Sequence, residues 1–242
     1  MALPGICVLC KDRVPSSNTC LCNLCIKNLP WIVNHCRICG AQLEKTNICP
    51  QCQKSPPHYR RCISAFDYNG DSIDKLIFPV KKNPFSPQLR QLAILLSGVI
   101  ESAYKNEDRP KIVVPVPMHW RSLLSRGFNQ SYSIAHQLTQ YFDNLKIADA
   151  LCERQNFATP QRLRNRRQRL QNMKHGFTLC QTNHHEASDM PMRHPTIHNE
   201  TLAIVDDVVT TGATVDALAE LLIKAGAKQV DVWAIAKTNW HI

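Results

Sequence analysis

The sequence predicts an α/β fold, a mostly parallel sheet with helices on both faces, preceded by a small cysteine-rich module. Three observations carry this. From Cys62 onward, apolar β-branched runs alternate with helix-like stretches, the pattern of a parallel sheet between helices. Ten of the twelve cysteines fall within residues 1–62, eight of them in C-x-x-C pairs. Between the two regions stands Lys54-Ser55-Pro56-Pro57, whose consecutive prolines suit a linker. The expected division is a cysteine-rich module of residues 1–58 and an α/β domain of residues 62–242.

Within the second region, CISAFDY (62–68) reads as a strand. Ser86-Pro87 supplies an N-cap and a first-turn proline for a helix through about Tyr104, with Leu89, Leu92, Leu96 and Ile100 on one side. KIVVPV (111–116) has the composition of a buried parallel strand, and a helix is expected from about Asn129 to Phe142. TLAIVDD (201–207) is the next strand, followed by a Thr/Gly turn and a helix over Val215–Ala225 that Gly226 ends. QVDVWAIAK (229–237) is the last strand. Two stretches break the alternation. Residues 154–185 contain no Asp or Glu and are densely basic at 161–177, and residues 181–200 carry four histidines and read as an exposed loop.

At 44% hydrophobic and 20% charged, the chain has the composition of a globular protein and not of a disordered one. It contains no run of 18 apolar residues, which excludes a membrane-spanning helix. The first residues lack a charged start and a long apolar run, so no signal peptide is expected and the expected location is the cytoplasm. The formal net charge is +10, and residues 1–69 hold 8 Lys/Arg against 3 Asp/Glu. Such a surface points to phosphate-bearing partners, nucleic acid or a polyanionic small molecule.

The paired cysteines are Cys7/Cys10, Cys22/Cys25, Cys36/Cys39 and Cys49/Cys52. Two cysteines on a tight turn can place both thiolates on one ion, and two such turns complete a tetrahedral four-thiolate shell suited to structural zinc. Two zinc ions are therefore expected, with the pairs closing in sequence or interleaved. A closed four-thiolate shell leaves no position for water, so these sites would fold the module and not catalyse. Cys20, Cys62, Cys152 and Cys180 lack such spacing and read as core residues.

The stretch LAIVDDVVTTGATV (202–215) carries the chemistry. A strand delivers Asp206 and Asp207, and the chain turns through Thr210, Thr211, Gly212, Ala213 and Thr214 into a helix. Small residues at a helix mouth leave backbone N–H groups free to converge on a phosphate, helped by the helix dipole. The neighbouring carboxylates can accept hydrogen bonds from a ribose diol. A second block, VVPVPMHWRSLLSRGFNQS (113–131), follows a strand with Arg121 and Arg126. Ligands of open parallel sheets bind outside the carboxyl ends of the strands, where guanidinium forks suit pyrophosphate.

The acidic-pair and Thr-Gly loop resembles the 5-phosphoribosyl-1-pyrophosphate (PRPP) signature of type I phosphoribosyltransferases. With the four cysteine pairs, Lys81, the Val-Pro-Val-Pro…Arg-Gly-Phe-Asn-Gln block and the spacing Gln161…Arg167…Asn172…Phe177, nearly the whole chain is similar to the ComF family, also called GntX-like, of competence and DNA utilisation. The resemblance implies a type I phosphoribosyltransferase-like domain behind a zinc ribbon. It further implies ribose-binding acids Asp206 and Asp207, 5′-phosphate binding by residues 210–214, and pyrophosphate binding near Arg121, with Lys81, Arg126 and Arg167 contributing. Magnesium would accompany PRPP, residues 161–177 would cover the site, and the cysteine module would occupy the place of the base-recognising hood. Lys82 departs from the family, where an aromatic usually follows the lysine, and 181–200 is longer than usual. The expected activity is phosphoribosyl transfer with release of pyrophosphate. The rival expectation is a non-enzymatic protein that handles single-stranded DNA, or docks other competence proteins, and keeps PRPP binding as a sensor.

Overall fold

The computed structural model describes residues 5–14, 19–45, 47–68, 71–154, 176–180 and 197–239. Arg167 and most of 161–177 and 181–200 lie outside them. The sheet-forming strands are β3 (Cys62–Asp67), β4 (Ile112–Pro115), β5 (Lys146–Ile147), β8 (Thr201–Val209) and β9 (Gln229–Lys237), in the order β3-β9-β8-β4-β5 with every pairing parallel. The N-terminal region adds β1 (Gly5–Ile6), β2 (Arg13–Val14), α1 (Asn23–Lys27) and α2 (Pro50–Lys54). The other elements are helices α3 (Asp71–Val80), α4 (Pro87–Ala103), α5 (Trp120–Arg126), α6 (Gln130–Leu138) and α7 (Ala213–Lys224), with the antiparallel pair β6 (Cys152–Arg154) and β7 (Phe177–Leu179).

Alternation along each strand sorts its side chains to two faces. Val113, Ala203, Val205, Trp233 and Ile235 join one buried cluster with α3, α4 and α6. Ile112, Val114, Leu202, Ile204 and Val232 join the other with α7 and the β6–β7 pair. A sheet buried on both faces needs apolar residues at nearly every strand position, which explains the apolar run of β4 and that of β9 from Val232 to Ala236.

The expected helices form close to their predicted ranges. Ser86 caps α4 by accepting from the Leu89 N–H at 3.3 Å, and Asn129 caps α6 by accepting from the Ser131 N–H at 3.0 Å. Helices α3 and α5 add to the predicted set. In α3, Ile73, Leu76, Ile77 and Val80 are fully buried at helical spacing, but Pro79 reads as a helix breaker. The helix tolerates it because it falls in the last turn. This helix matters because it delivers Lys81.

The cysteine-rich region packs along the sheet's edge and not apart from it. The Ile32 N–H donates to Ala65 O (3.1 Å), the Asp67 N–H to Pro30 O (2.8 Å) and the Cys62 N–H to Ile38 O (2.7 Å). Trp31 tilts against Phe66 with ring centroids 4.6 Å apart. These bonds occupy the otherwise exposed edge of β3, which removes an aggregation-prone surface. Cys7, Val14, Cys20, Leu21 and Leu29 belong to the same buried cluster as α4. Gly40, at φ +73°, lies so near β3 that a Cβ would stand 2.7 Å from Cys62 O, so only glycine permits this approach.

Candidate functional site

The cysteine pairs close in sequence order. Cys7, Cys10, Cys22 and Cys25 form one group and Cys36, Cys39, Cys49 and Cys52 another, with the sulfurs of each group within 4.8 Å of one another. The Cys10–Cys22 and Cys39–Cys49 sulfurs are 3.6 and 3.7 Å apart. A tetrahedral ion with Zn–S of about 2.3 Å has S···S edges of about 3.8 Å, so both groups are compatible with structural zinc. Helix N-termini aim at the sulfurs: Cys22 Sγ accepts from the Cys25 N–H and Cys49 Sγ from the Cys52 N–H. Burial opposes ionisation of Cys7 and Cys36, yet backbone N–H groups outweigh it. Those of Cys10, Cys22 and Leu9 draw Cys7 down to about 6, and those of Cys49, Cys39 and Ile38 draw Cys36 down to about 7. Thiolates are the form that ligates metal.

The second candidate site lies at the carboxyl end of β8. Asp206 is half-buried and Asp207 is 7% exposed. Asp206 Oδ1 accepts from the Ser131 hydroxyl at 3.0 Å and from the Asp207 N–H at 2.9 Å. Burial first and the charge of Asp207 second push the Asp206 carboxyl up to about 7. The cation at this site is Lys81, whose Nζ lies 3.3 Å from Asp207 Oδ2. That oxygen is buried and accepts no hydrogen bond among the described residues. Asp207 thus meets one lysine and Asp206 meets no cation within ion-pair distance among the described residues, with acceptor capacity left over.

The chain leaves β8 through exposed Thr210 and Thr211. Gly212, at φ +80°, is the N-cap of α7 and supplies no side-chain cap, while Ala213 N–H donates to Thr211 Oγ1 at 3.3 Å. The first-turn N–H groups, with Thr214 beside them, form the start of a 12-residue helix, the arrangement that receives anions. Lys237, 4% exposed, holds the loop's entry by donating to the carbonyl oxygens of Thr210 and Thr238.

The structure therefore gathers Asp206, Asp207, Lys81 and the mouth of α7. Arg121 and Arg126 are exposed on α5 and form no ion pair with the β8 acids among the described residues. The Arg121 guanidinium lies 5.3 Å from the Trp120 ring centroid, and Arg126 donates to Gln130 at 3.2 Å. A cavity of about 780 Å³ beside α5 is lined by Trp120, Phe128, Tyr132, Asp149, Glu153 and Arg154, among others, and neither β8 acid lines it. Sequence reasoning passed over Ser131 and Lys237. The asparagine cap of α6 was a signal for Ser131, because a residue in the first turn of a capped helix sits at its mouth. Lys237 left no local signal, since a lysine ending a strand reads as solvent-exposed.

No family model matches the chain. It is 30% identical to the DNA utilization protein YhgH of Salmonella typhimurium over 249 residues, covering 98% of this chain and 99% of the relative. It is 29% identical to YhgH of Escherichia coli K12 over 245 residues, at 98% and 99% coverage. Competence protein F of Haemophilus influenzae is 27% identical over 240 residues, at 96% and 96%. Among solved structures, a purine phosphoribosyltransferase from Pyrococcus horikoshii aligns over 61% of this chain and 70% of its own, with 17% identity and a TM-score of 0.34. A hypoxanthine-guanine phosphoribosyltransferase from Bacillus anthracis aligns over 62% and 68%, with 14% identity and a TM-score of 0.37. Superpositions that loose carry no functional weight. Whole-length identity, the parallel sheet and the two four-cysteine groups lead to one conclusion: this chain belongs to the ComF/GntX family, with a parallel-sheet α/β domain joined to a region of two four-cysteine clusters.

Proposed function

We propose that this protein binds PRPP at the carboxyl end of β8 in the service of DNA utilisation, and that it transfers the phosphoribosyl group with release of pyrophosphate. The observation that carries the reading is the pair Asp206–Asp207, set one short loop before the mouth of α7, whose N-cap glycine supplies no side-chain acceptor, and countered by Lys81 alone among the described residues. In this reading the acids accept hydrogen bonds from the ribose hydroxyls, and residues 210–214 hold the 5′-phosphate through backbone N–H groups. Lys81, Arg121, Arg126 and Arg167 counter the charge of pyrophosphate. The β8 acids, with spare acceptor capacity, suit magnesium, which would neutralise pyrophosphate charge as it leaves. Catalysis is then positioning plus electrostatic stabilisation of the anomeric centre.

Calorimetric titration with PRPP and magnesium tests the binding, and pyrophosphate release with a panel of acceptors tests the turnover. Elemental analysis should find two zinc ions per chain in reduced, unchelated protein; well under one would rule out zinc as the element that folds the cysteine region.

A second reading, single-stranded DNA binding, is favoured by α5, which exposes Trp120 beside Arg121 and Arg126. Aromatic and basic side chains together suit stacking and phosphate contact. Replacing Arg162, Arg164 and Arg169 with Gln should remove about three phosphate contacts and lower the log–log salt slope by roughly 2. Loss of PRPP affinity with an unchanged DNA salt slope would assign that basic run to PRPP instead.

A further inference from the structure

The segment joining the second four-cysteine group to β3 lies against the mouth of α7. Its start is fixed at Cys52, a member of that group, and its end at Cys62, whose N–H donates to Ile38 O between two more members. Both ends of this short segment are thus anchored on one sulfur cluster. Its middle reaches across to the loop after β8. The His58 N–H and Nδ1 both lie on Asp216 Oδ1, at 2.6 and 3.0 Å, in the first turn of α7. Tyr59 is 4% exposed and packs in the cluster that includes Val209 and Val215, on either side of the loop. Its hydroxyl stands 3.2 Å from where a Cβ on Gly212 would lie. The Arg60 N–H then donates to Val230 O at 2.8 Å, which ties the segment to β9.

We propose that His58 and Tyr59 are positioning residues of the α7 mouth, and that an intact second four-cysteine group holds that loop in its anion-receiving shape. The inference rests on the proposed phosphate role of residues 210–214 for its functional meaning, while the brace itself is mechanical. Asp216 is its pivot, because it accepts both His58 bonds.

The first group supplies an internal contrast. Its cysteines pack near β1, β2 and α4 on the opposite face of the sheet, in the cluster that excludes Tyr59 and α7. A lesion there should leave the loop alone if the rest of the fold survives. The two sulfur clusters are therefore expected to differ in what they control.

The test is hydrogen exchange of the Gly212–Asp216 amides in full-length, metal-loaded protein, with β8–β9 amides as the folding reference. Asp216→Ala should speed exchange in the loop by roughly fivefold, as expected for loss of a net hydrogen bond of about 1 kcal/mol, whereas Asp216→Asn keeps an acceptor and should restore protection. Tyr59→Phe should give a smaller acceleration at Gly212. Cys52→Ser should accelerate the same amides and Cys22→Ser should not. Should a cysteine variant fail to fold, the Asp216 and Tyr59 variants decide alone. Unchanged loop exchange in Asp216→Ala and Tyr59→Phe would overturn the brace. PRPP titration of the same variants reads the consequence separately: affinity should weaken in Asp216→Ala and recover in Asp216→Asn. Wild-type protein that fails to bind PRPP would remove the proposed function, while the exchange result would still decide the brace.

Discussion

Two acidic clusters sit on adjacent strands of the same sheet and solve burial in opposite ways. On β9, Asp231 is fully buried, and Arg60 meets it with Nε at 2.8 Å and Nη2 at 2.5 Å. Tyr104 donates its hydroxyl to the same carboxylate and in turn accepts from Trp233 Nε1 at 3.1 Å. Arg60 and Arg61 both reach Glu107, at 2.6 and 2.7 Å. Two acids meet two guanidinium groups, and hydrogen bonding to Arg60 holds the Glu107 carboxyl below its ordinary range. On β8, one lysine meets Asp207 alone, and the Asp206 carboxyl is driven up. A balanced buried cluster belongs to the fold. An unbalanced one costs stability unless something else supplies the missing charge or donors.

That contrast can be broken most forcefully at Asp231. Asp231→Ala removes the shared acceptor and leaves guanidinium donors of Arg60 and Arg61 partly buried and unpaired there, and should lower stability by about 3 kcal/mol in urea unfolding. A loss well under about 1 kcal/mol would mean that the cluster is incidental.

The double substitution Asp206→Asn with Asp207→Asn should act in the other direction. The fold should be retained, because neutral amides remove the repulsion. PRPP binding should be lost, at on the order of 2–3 kcal/mol for each charged acceptor. Unchanged affinity by calorimetry in the folded double variant would refute the ribose role.

Stability should also depend on pH through Asp206. Its folded-state carboxyl is raised to about 7 from an ordinary 3.8, so the folded chain holds a proton that the unfolded chain releases. The favourable contribution is full below the ordinary range and is lost as pH rises from about 4 to about 7. Denaturant midpoints across that window should fall more steeply for wild type than for Asp206→Asn. Parallel curves would place the ionisation elsewhere.

The smallest effect is expected at Ser131. Ser131→Ala removes a hydroxyl donor from Asp206, costs about 1 kcal/mol, and should move the Asp206 titration further upward because the hydroxyl favours the ionised form. Carboxyl titration followed by NMR reads the shift directly.

Local patterns were enough for the sequence to determine the unbroken apolar strands, the Ser86 and Asn129 caps, the Thr-Gly turn after the acids and the C-x-x-C turns. Each depends on residues within a few positions of one another, so each is legible without knowledge of the rest of the chain. Spacing also brought Asp206 and Asp207 to the strand end, since the carboxyl end of a parallel strand is where its following loop begins. The tertiary structure alone decided what meets them. Lys81 arrives from α3, a helix that Pro79 disguised, and Ser131 arrives from α6. Lys237, at the end of β9, is buried against Thr210 because β9 lies beside β8 in the sheet. The sequential closing of the cysteine pairs, which spacing left open, followed from which turns could pack together. The seating of His58 against α7 joins residues 158 positions apart. Strand order and packing choose such partners, because a side chain's surroundings in a parallel sheet come from crossovers that no local window contains.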